Sequence, residues 1–190
     1  MISIVPYKPS WPNEFLEKGT MLRHILGDLA MRIDHIGSTS VQGLAAKDVI
    51  DIQITTQGLS RNLESAMNLA GFQRLININQ DHVPPGKAAN TYQWEKWLFQ
   101  PVSPGRRVNA HVRMPGRENQ RYAILFRDYL RAFPTIAKAY GQAKEAIVKY
   151  HPEQDMEAYY DIKDPVCDII MGGAEEWAVS TKWQAGARDC

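Results

Sequence analysis

The sequence has few of the features that mark a secreted, membrane-bound or nucleic-acid-binding protein. Its two cysteines, Cys167 and Cys190, form no CxxC pair and no disulfide framework, which is typical of a reducing cytoplasm. The net charge is +1, so no overall electrostatic attraction to nucleic acid is expected. No apolar run approaches the roughly 20 residues that span a bilayer, and prolines interrupt the first residues, where a signal peptide would need a long apolar stretch. We therefore predict a cytoplasmic protein without a membrane or nucleic-acid partner, and its oligomeric state stays open.

The length and the composition suit one domain with a substantial core. At 190 residues, folding buries roughly 70% of the surface that the unfolded chain exposes. The hydrophobic content of 44% is ordinary for a globular protein. No repeat, low-complexity tract or linker divides the chain. We predict a single domain over residues 1–180 and a frayed tail over residues 181–190, which lack apolar periodicity.

Hydrophobic periodicity predicts both helices and strands. Apolar residues recur every three or four positions, as in amphipathic helices, over residues 12–27, 59–70, 118–133 and 134–150. A last helix is predicted from near Glu153, with a restart at Asp164-Pro165. Strands are predicted at residues 32–36, 48–55 and 72–78, and a hairpin at residues 92–100 and 106–114. Residues 80–87 have the composition of a mobile loop.

The most informative segment joins two of these strands. The run His35-Ile36-Gly37-Ser38 leads from the first strand into a loop of small residues, whose bare N–H groups can approach a phosphate. Twelve residues separate Ser38 from Asp51, which lies on the next strand, and the alternation of that strand places Asp51 and Gln53 on one face. A carboxylate oxygen is the ligand that Mg²⁺ prefers. The segment therefore combines a candidate phosphate cradle with a candidate metal ligand.

This segment, HIGSTSVQGLAAKDVIDIQI at residues 35–54, resembles the GrpB family (UPF0157) of the nucleotidyltransferase superfamily. YKPSWP at residues 7–12 is similar to the opening of that family, and LFRDYLR at residues 125–131 to a late helix. The resemblance covers nearly the whole chain. It implies an α+β fold of the nucleotidyltransferase type, in which a mixed sheet of about five strands has helices packed on one face and a C-terminal helical segment. The family also occurs fused to dephospho-CoA kinase.

The resemblance also implies a set of site residues. Gly37, Ser38, Ser40 and Lys47 would bind the phosphates of ATP or another nucleoside triphosphate. Asp51 and Gln53 would bind Mg²⁺ or Mn²⁺, although Gln53 stands where the superfamily has a second carboxylate, and a neutral amide does not offset the charge of a cation.

Three further residues extend the candidate site. His111 falls where a third carboxylate of the superfamily is expected, and it would be a metal ligand or a general base. Arg113 shares the face of His111 and is a candidate phosphate ligand. His35 is either another metal ligand or a core histidine.

Each of these residues also has an ordinary structural interpretation. Asp51 could lie on a solvated face, His111 could be a satisfied polar histidine, and Lys47 could be a surface lysine. Ser38 could cap the following turn. Arg127-Asp128, on an otherwise apolar helix, is predicted to be a buried pair that holds the helix to the sheet.

The leading functional prediction is an enzyme that transfers a nucleotidyl group from a nucleoside triphosphate to a small-molecule acceptor, with Asp51 and His111 as catalytic residues. One alternative is a non-catalytic module that binds a nucleotide or a CoA-like ligand, which the missing second carboxylate favours. Another is ATP-dependent formation of an amide or ester on the same fold.

Overall fold

The computed structural model describes residues 2–88, 91–151 and 156–190. Five strands form one sheet: β1 (Arg32–Ile36), β2 (Ile50–Thr55), β3 (Phe72–Arg74), β4 (Trp97–Pro101) and β5 (Val108–Arg113). The α-helices of the described residues are α1 (Trp11–Leu26), α2 (Arg61–Leu69), α3 (Thr91–Trp94), α4 (Glu118–Ala132), α5 (Pro134–Tyr150) and α6 (Met156–Thr181). The predicted start of the last helix near Glu153 lies outside the described residues.

The sheet has the order β1-β2-β5-β4-β3 and is mixed. Strands β2 and β5 run parallel, and the other neighbouring pairs are antiparallel. A parallel pair needs a long crossover connection, and α2, β3, α3 and β4 all lie between β2 and β5 along the chain. The prediction of an α+β protein with a mixed sheet of about five strands is confirmed.

Helices cover both faces of the sheet. The apolar stripes of α1 and α2 pack against the side chains of β1, β2, β4 and β5 that point to one face, and together they form the main core. On the other face, the backbone oxygen of Gln120 in α4 accepts a hydrogen bond from the side chain of Gln53 in β2. Helices α5 and α6 pack on α4 and on each other in two smaller apolar clusters. The C-terminal helices thus lie on one face as predicted, and α1 and α2 add a layer on the other.

Three predicted elements were wrong in detail. The strand predicted at residues 72–78 ends at Arg74. Residues 91–94 form α3 instead of strand, and Trp94 from this turn is buried edge-to-face against Tyr122 of α4. Helix α6 continues through Pro165 instead of restarting there. Buried contacts on both sides of the proline, at Tyr159 and at Cys167, offset the hydrogen bond that a proline removes from a helix.

The last residues run along the open edge of the sheet. The backbone N–H of Cys190 donates to the oxygen of Ile33 at 3.1 Å, and the Asp189 carboxylate accepts from the backbone N–H of His35 at 2.9 Å. An edge strand has unpaired backbone groups, and the tail supplies partners for those of β1. The prediction of a frayed tail does not describe this arrangement, because periodicity carries no information about backbone pairing.

Arg127 of α4 also joins this edge. Its side chain is buried, bonds Asp128 and Asp189 at 2.8 and 2.7 Å, and donates to the backbone oxygen of His35. The predicted Arg127-Asp128 pair between helix and sheet is therefore confirmed.

Nowhere in the described ranges does a helix combine the length and the apolarity that crossing a bilayer requires.

Candidate functional site

The face of the sheet toward α4 presents a row of polar side chains from β2 and β5. In the parallel register, Asp51 lies opposite Asn109, and Gln53 lies opposite His111. Because side chains alternate along a strand, all four point to the same face. Asp51 Oδ1 accepts a hydrogen bond from Asn109 Nδ2 at 3.0 Å and lies 3.4 Å from His111 Nε2. The structure thus brings the two predicted catalytic residues, Asp51 and His111, into contact.

The protonation of this pair follows from its surroundings. Burial alone would raise the pKa of Asp51, but the hydrogen bonds from His111 and Asn109 outweigh it and hold the pKa below its usual value. Burial lowers the pKa of His111, against the opposing effect of Asp51. A neutral imidazole beside a carboxylate must turn an N–H toward it, so Nε2 carries the proton and Nδ1 is an acceptor. His111 Nδ1 is buried and has no hydrogen-bond partner among the described residues.

Gly37 brings the backbone of the loop directly onto Asp51. Its φ is 69°, a left-handed conformation that favours glycine. A Cβ added to Gly37 would collide with Asp51 Oδ2 and lie 2.9 Å from Asp51 Cβ. Both the turn and the close approach therefore require glycine here. Asp51 keeps about a quarter of its side chain, 26%, exposed at this point.

The remaining small residues of the loop have different roles. Ser38 Oγ accepts a hydrogen bond from Lys144 Nζ at 2.8 Å, which leaves its own hydroxyl proton available to another acceptor. Ser40 Oγ instead donates to the backbone oxygen of Gly37 at 2.6 Å. Ser40 thus fixes the shape of the loop, whereas Ser38 retains a donor.

Two lysines from different elements lie near this loop. Lys144 of α5 is buried, donates to Ser38 and to the backbone oxygen of Ala45, and burial lowers its pKa to about 7. Lys47 lies with its Nζ 3.7 Å from the centre of the Tyr159 ring, and burial lowers its pKa to about 8. The negative charge of Asp51 acts to raise both pKa values. Sequence reasoning missed Lys144, because on a helix it has no distinguishing motif.

His35 lies on the opposite face of the sheet. It pairs in register with Ile52, so its ring points into the core, where it stacks on Phe15 with the ring centres 4.6 Å apart. Its Nε2 is 3.0 Å from Thr39 Oγ1, and burial lowers its pKa to about 4. The structure therefore separates His35 from the other predicted metal ligands, as strand alternation requires.

Gln53 and Arg113 are hydrogen-bonded to each other, and other protein groups also bond to both. Gln53 has no exposed surface, accepts from Arg113 Nη1 at 2.6 Å and donates to the backbone oxygen of Gln120 at 3.1 Å. Arg113 also forms a bidentate pair with Asp81 at 2.8 and 2.9 Å. As placed, neither Gln53 as a metal ligand nor Arg113 as a phosphate ligand faces an open site.

Asp81 is the residue that sequence reasoning missed most clearly. It accepts hydrogen bonds from Arg113, from Lys96 Nζ at 2.6 Å and from Asn119 Nδ2 at 3.0 Å. The charges of Arg113 and Lys96 overcome the effect of burial and hold the pKa of Asp81 far below its usual value. The loop that was predicted to be mobile is therefore anchored at Asp81.

The donor set of the site fits one cation at most. Within the part of the chain that the structure describes, no three His, Cys, Asp or Glu side chains are grouped to hold a metal ion. Mg²⁺ is commonly held by one or two carboxylates together with water and substrate phosphates. Asp51 can supply one such carboxylate where it faces Gly37, but a two-metal arrangement does not fit these residues.

Comparison with known proteins identifies the class to which this fold and site belong. A family model described as GrpB protein matches residues 1–172, and the chain belongs to the GrpB family. The predicted resemblance is confirmed. The chain is also similar to the crystal structure of conserved protein GrpB from Enterococcus faecalis, with a TM-score of 0.70 and 24% identity over 96% of this chain and all of that one.

Two curated relatives are similar in sequence. A dephospho-CoA kinase of Mycolicibacterium paratuberculosis is 33% identical over 96% of this chain and 48% of its own length. A UPF0157 protein of Pseudomonas aeruginosa is 32% identical over 91% of this chain and 67% of its own length. The chain thus spans about half the length of the dephospho-CoA kinase.

Proposed function

We propose that this protein binds a nucleoside triphosphate beside Gly37 and Ser38 and transfers its nucleotidyl group to a small-molecule acceptor. The observation that carries the proposal is the contact of three parts at one place: the Gly37 backbone against Asp51, Asp51 against His111, and Lys144 on Ser38. Cytoplasmic location remains a prediction from the sequence.

Ser38, Lys144 and Lys47 would hold the phosphates. The Ser38 hydroxyl can donate to a phosphate oxygen because Lys144 already occupies its acceptor position. Lys144 and Lys47 have lowered pKa values, and a phosphate would favour the charged form of each. The two lysines would supply the positive charge that a second metal ion supplies in enzymes with two-metal sites.

His111 and Asp51 would serve the transfer step. The acceptor oxygen attacks the α-phosphorus and the bond to the leaving pyrophosphate breaks. The acceptor proton passes to His111 Nδ1, which is buried in the free protein, so binding of the acceptor has to open a path to it. Asp51 holds the opposite nitrogen, Nε2, and stabilises the imidazolium that forms. A divalent cation, bound by Asp51 together with phosphate oxygens, would neutralise charge on the phosphates.

A non-catalytic nucleotide-binding module is the second candidate, and one observation favours it. Gln53 is neutral and is held between Arg113 and Gln120, so among the described residues Asp51 is the one carboxylate of the predicted metal ligands that faces the loop. Such a module would use the lysines to bind a nucleotide without needing a cation.

The test is calorimetry of the metal-stripped protein with ATP, GTP, CTP, UTP and CoA, each with and without Mg²⁺ or Mn²⁺, followed by measurement of pyrophosphate release. We expect one triphosphate to bind with metal dependence, and Asp51→Asn to abolish that dependence. Asp161→Asn, an exposed carboxylate on α6, is the matched control. Metal-independent binding without turnover would favour the binding module, and absence of any nucleotide binding would refute both.

A further inference from the structure

A cavity of about 320 Å³ lies between residues 84–87, α4 and α6. Small-molecule sites run from roughly 300 to 1,000 Å³, so the cavity has the size of a small ligand site. Trp94 and Tyr122 line it, with ring centres 6.4 Å apart in an edge-to-face arrangement. Neither Asp51 nor His111 is among the lining residues. The cavity is therefore distinct from the proposed phosphate site.

The charged residues of the cavity wall leave an excess of negative charge. Three carboxylates line it, those of Glu118, Asp168 and Glu175, against two cations, Lys87 and Arg121. Both cations are already paired: Lys87 lies 3.2 Å from Glu118, and Arg121 forms a bidentate pair with Glu175 at 2.6 and 2.8 Å. Asp168 is left as the carboxylate without a lysine or arginine partner in the cavity wall.

The two carboxylate oxygens of Asp168 differ in their contacts. Its Oδ2 lies 2.9 Å from His82 Nε2, which ties the loop that carries His82 to α6. Its Oδ1 is buried and has no hydrogen-bond partner in the described part of the chain. A buried acceptor without a partner costs roughly 1–3 kcal/mol, and more when it is charged. The Asp168 side chain is 13% exposed and lines the cavity, so a cation bound there can pair with its incompletely satisfied carboxylate.

We propose that this cavity binds a small primary amine that carries an aromatic or apolar body. The ammonium group pairs with the Asp168 carboxylate at the cavity wall, which is a charge-assisted contact. The body of the ligand packs on Trp94 and Tyr122, whose ring faces also favour a nearby cation. The site is independent of the proposed nucleotide chemistry, since it uses none of the same residues.

Three probes that share one ring test the proposal on the intact protein. Tyramine carries an ammonium group, 4-ethylphenol is neutral, and 3-(4-hydroxyphenyl)propionate carries a carboxylate. We expect tyramine to raise the melting temperature and to bind in calorimetry, whereas the other two bind at least tenfold more weakly. Equal effects of the three probes, or no binding of tyramine, would overturn the proposal.

Variants locate the binding. Asp168→Asn should weaken tyramine binding at least tenfold, while Glu176→Gln, an exposed carboxylate of the same helix, should not change it. Gly172 lines the cavity, and a Cβ added there meets no atom within 4 Å. Gly172→Leu should therefore fill the space and abolish binding, and Gly172→Ala, which adds one methyl group in the same helix, should retain it.

Separate experiments test the proposed function and this amine site. Asp51→Asn should leave tyramine binding unchanged, because Asp51 is not part of the cavity wall. If both Asp168→Asn and Gly172→Leu fold and bind tyramine as the unmodified protein does, the amine lies elsewhere and the inference is wrong.

Discussion

Replacing Asp81 by asparagine tests the buried network behind the candidate site. The change keeps the shape of the side chain but removes the charge that faces Arg113 and Lys96, whose side chains are only 7% and 10% exposed. Breaking a buried ion pair by removing one partner costs about 3–5 kcal/mol, because the remaining charge stays buried. The asparagine oxygen still accepts one hydrogen bond, so we expect a loss near the lower end, about 3 kcal/mol.

Chemical denaturation near neutral pH measures this loss directly. For a protein of this size, about 3 kcal/mol corresponds to a fall in melting temperature of roughly 6–12 °C. Asp161→Asn removes an exposed carboxylate and should change stability by less than about 0.5 kcal/mol. A loss below about 1 kcal/mol for Asp81→Asn would refute the reasoning.

The pH dependence supplies a second readout with a defined sign. The pKa of Asp81 in the folded protein lies far below the value of about 3.9 in an unfolded chain. The stability that it contributes is therefore present above about pH 4 and is lost as the pH falls toward the folded pKa. The difference between the unmodified protein and Asp81→Asn should be constant near neutral pH and should narrow in acid.

A double variant separates charge from packing. Lys96→Met removes one of the two cations that Asp81→Asn leaves unpaired. The double variant should therefore lose less free energy of unfolding than the two single variants lose together. We expect a coupling of about 1–3 kcal/mol. Additive losses would show that Lys96 and Asp81 do not stabilise each other.

Three further predictions concern the loop and the tail. Gly37→Ala should abolish triphosphate binding, measured by calorimetry, because its Cβ would displace Asp51, while circular dichroism shows a retained fold; unchanged affinity would contradict this. Binding of inorganic triphosphate at about pH 8 should take up a proton, since the pKa of Lys144 is about 7 in the free protein and an anion raises it. Calorimetry in two buffers of different ionisation enthalpy measures that uptake, which Lys144→Met should reduce; identical heats would exclude it. Asp189→Asn should destabilise the protein by about 1.5–3 kcal/mol in urea, since Arg127 loses a charged partner; no change would mean that the Asp189 carboxylate adds no stability.

Local patterns predicted the parts of the fold that depend on neighbouring residues. The alternation at residues 50–55 placed Asp51 and Gln53 on one face, and the apolar spacing from residue 118 onward located α4. The helical turn of residues 91–94 could not be predicted in this way, because Trp94 is fixed by Tyr122 of a distant helix.

In the candidate site, too, the sequence predicted the residues of a local motif and missed those that depend on distant partners. Gly37 and Asp51 stood out because their spacing along the chain forms a motif, and the structure brings them into contact. Asp81 and Lys144 did not, since the side chain of each forms its hydrogen bonds with partners at least 15 residues away. The use of Gln53 by Arg113 could not be foreseen either, because the strand pattern gives the face of a side chain but not its partner.

The parallel pairing of β2 with β5 also has a consequence for how the protein folds. Asp51 and its register partner Asn109 are 58 residues apart in the chain, so their contact forms only after a long segment has closed into a loop. Contacts between residues this far apart slow folding, because the chain loses conformational entropy when the loop closes, before the contact can stabilise it. The same strands supply the centre of the core and the polar row above it. Substitutions in this pair are therefore expected to change the folding rate as well as the chemistry, and kinetic refolding of Asn109→Ala would separate the two effects.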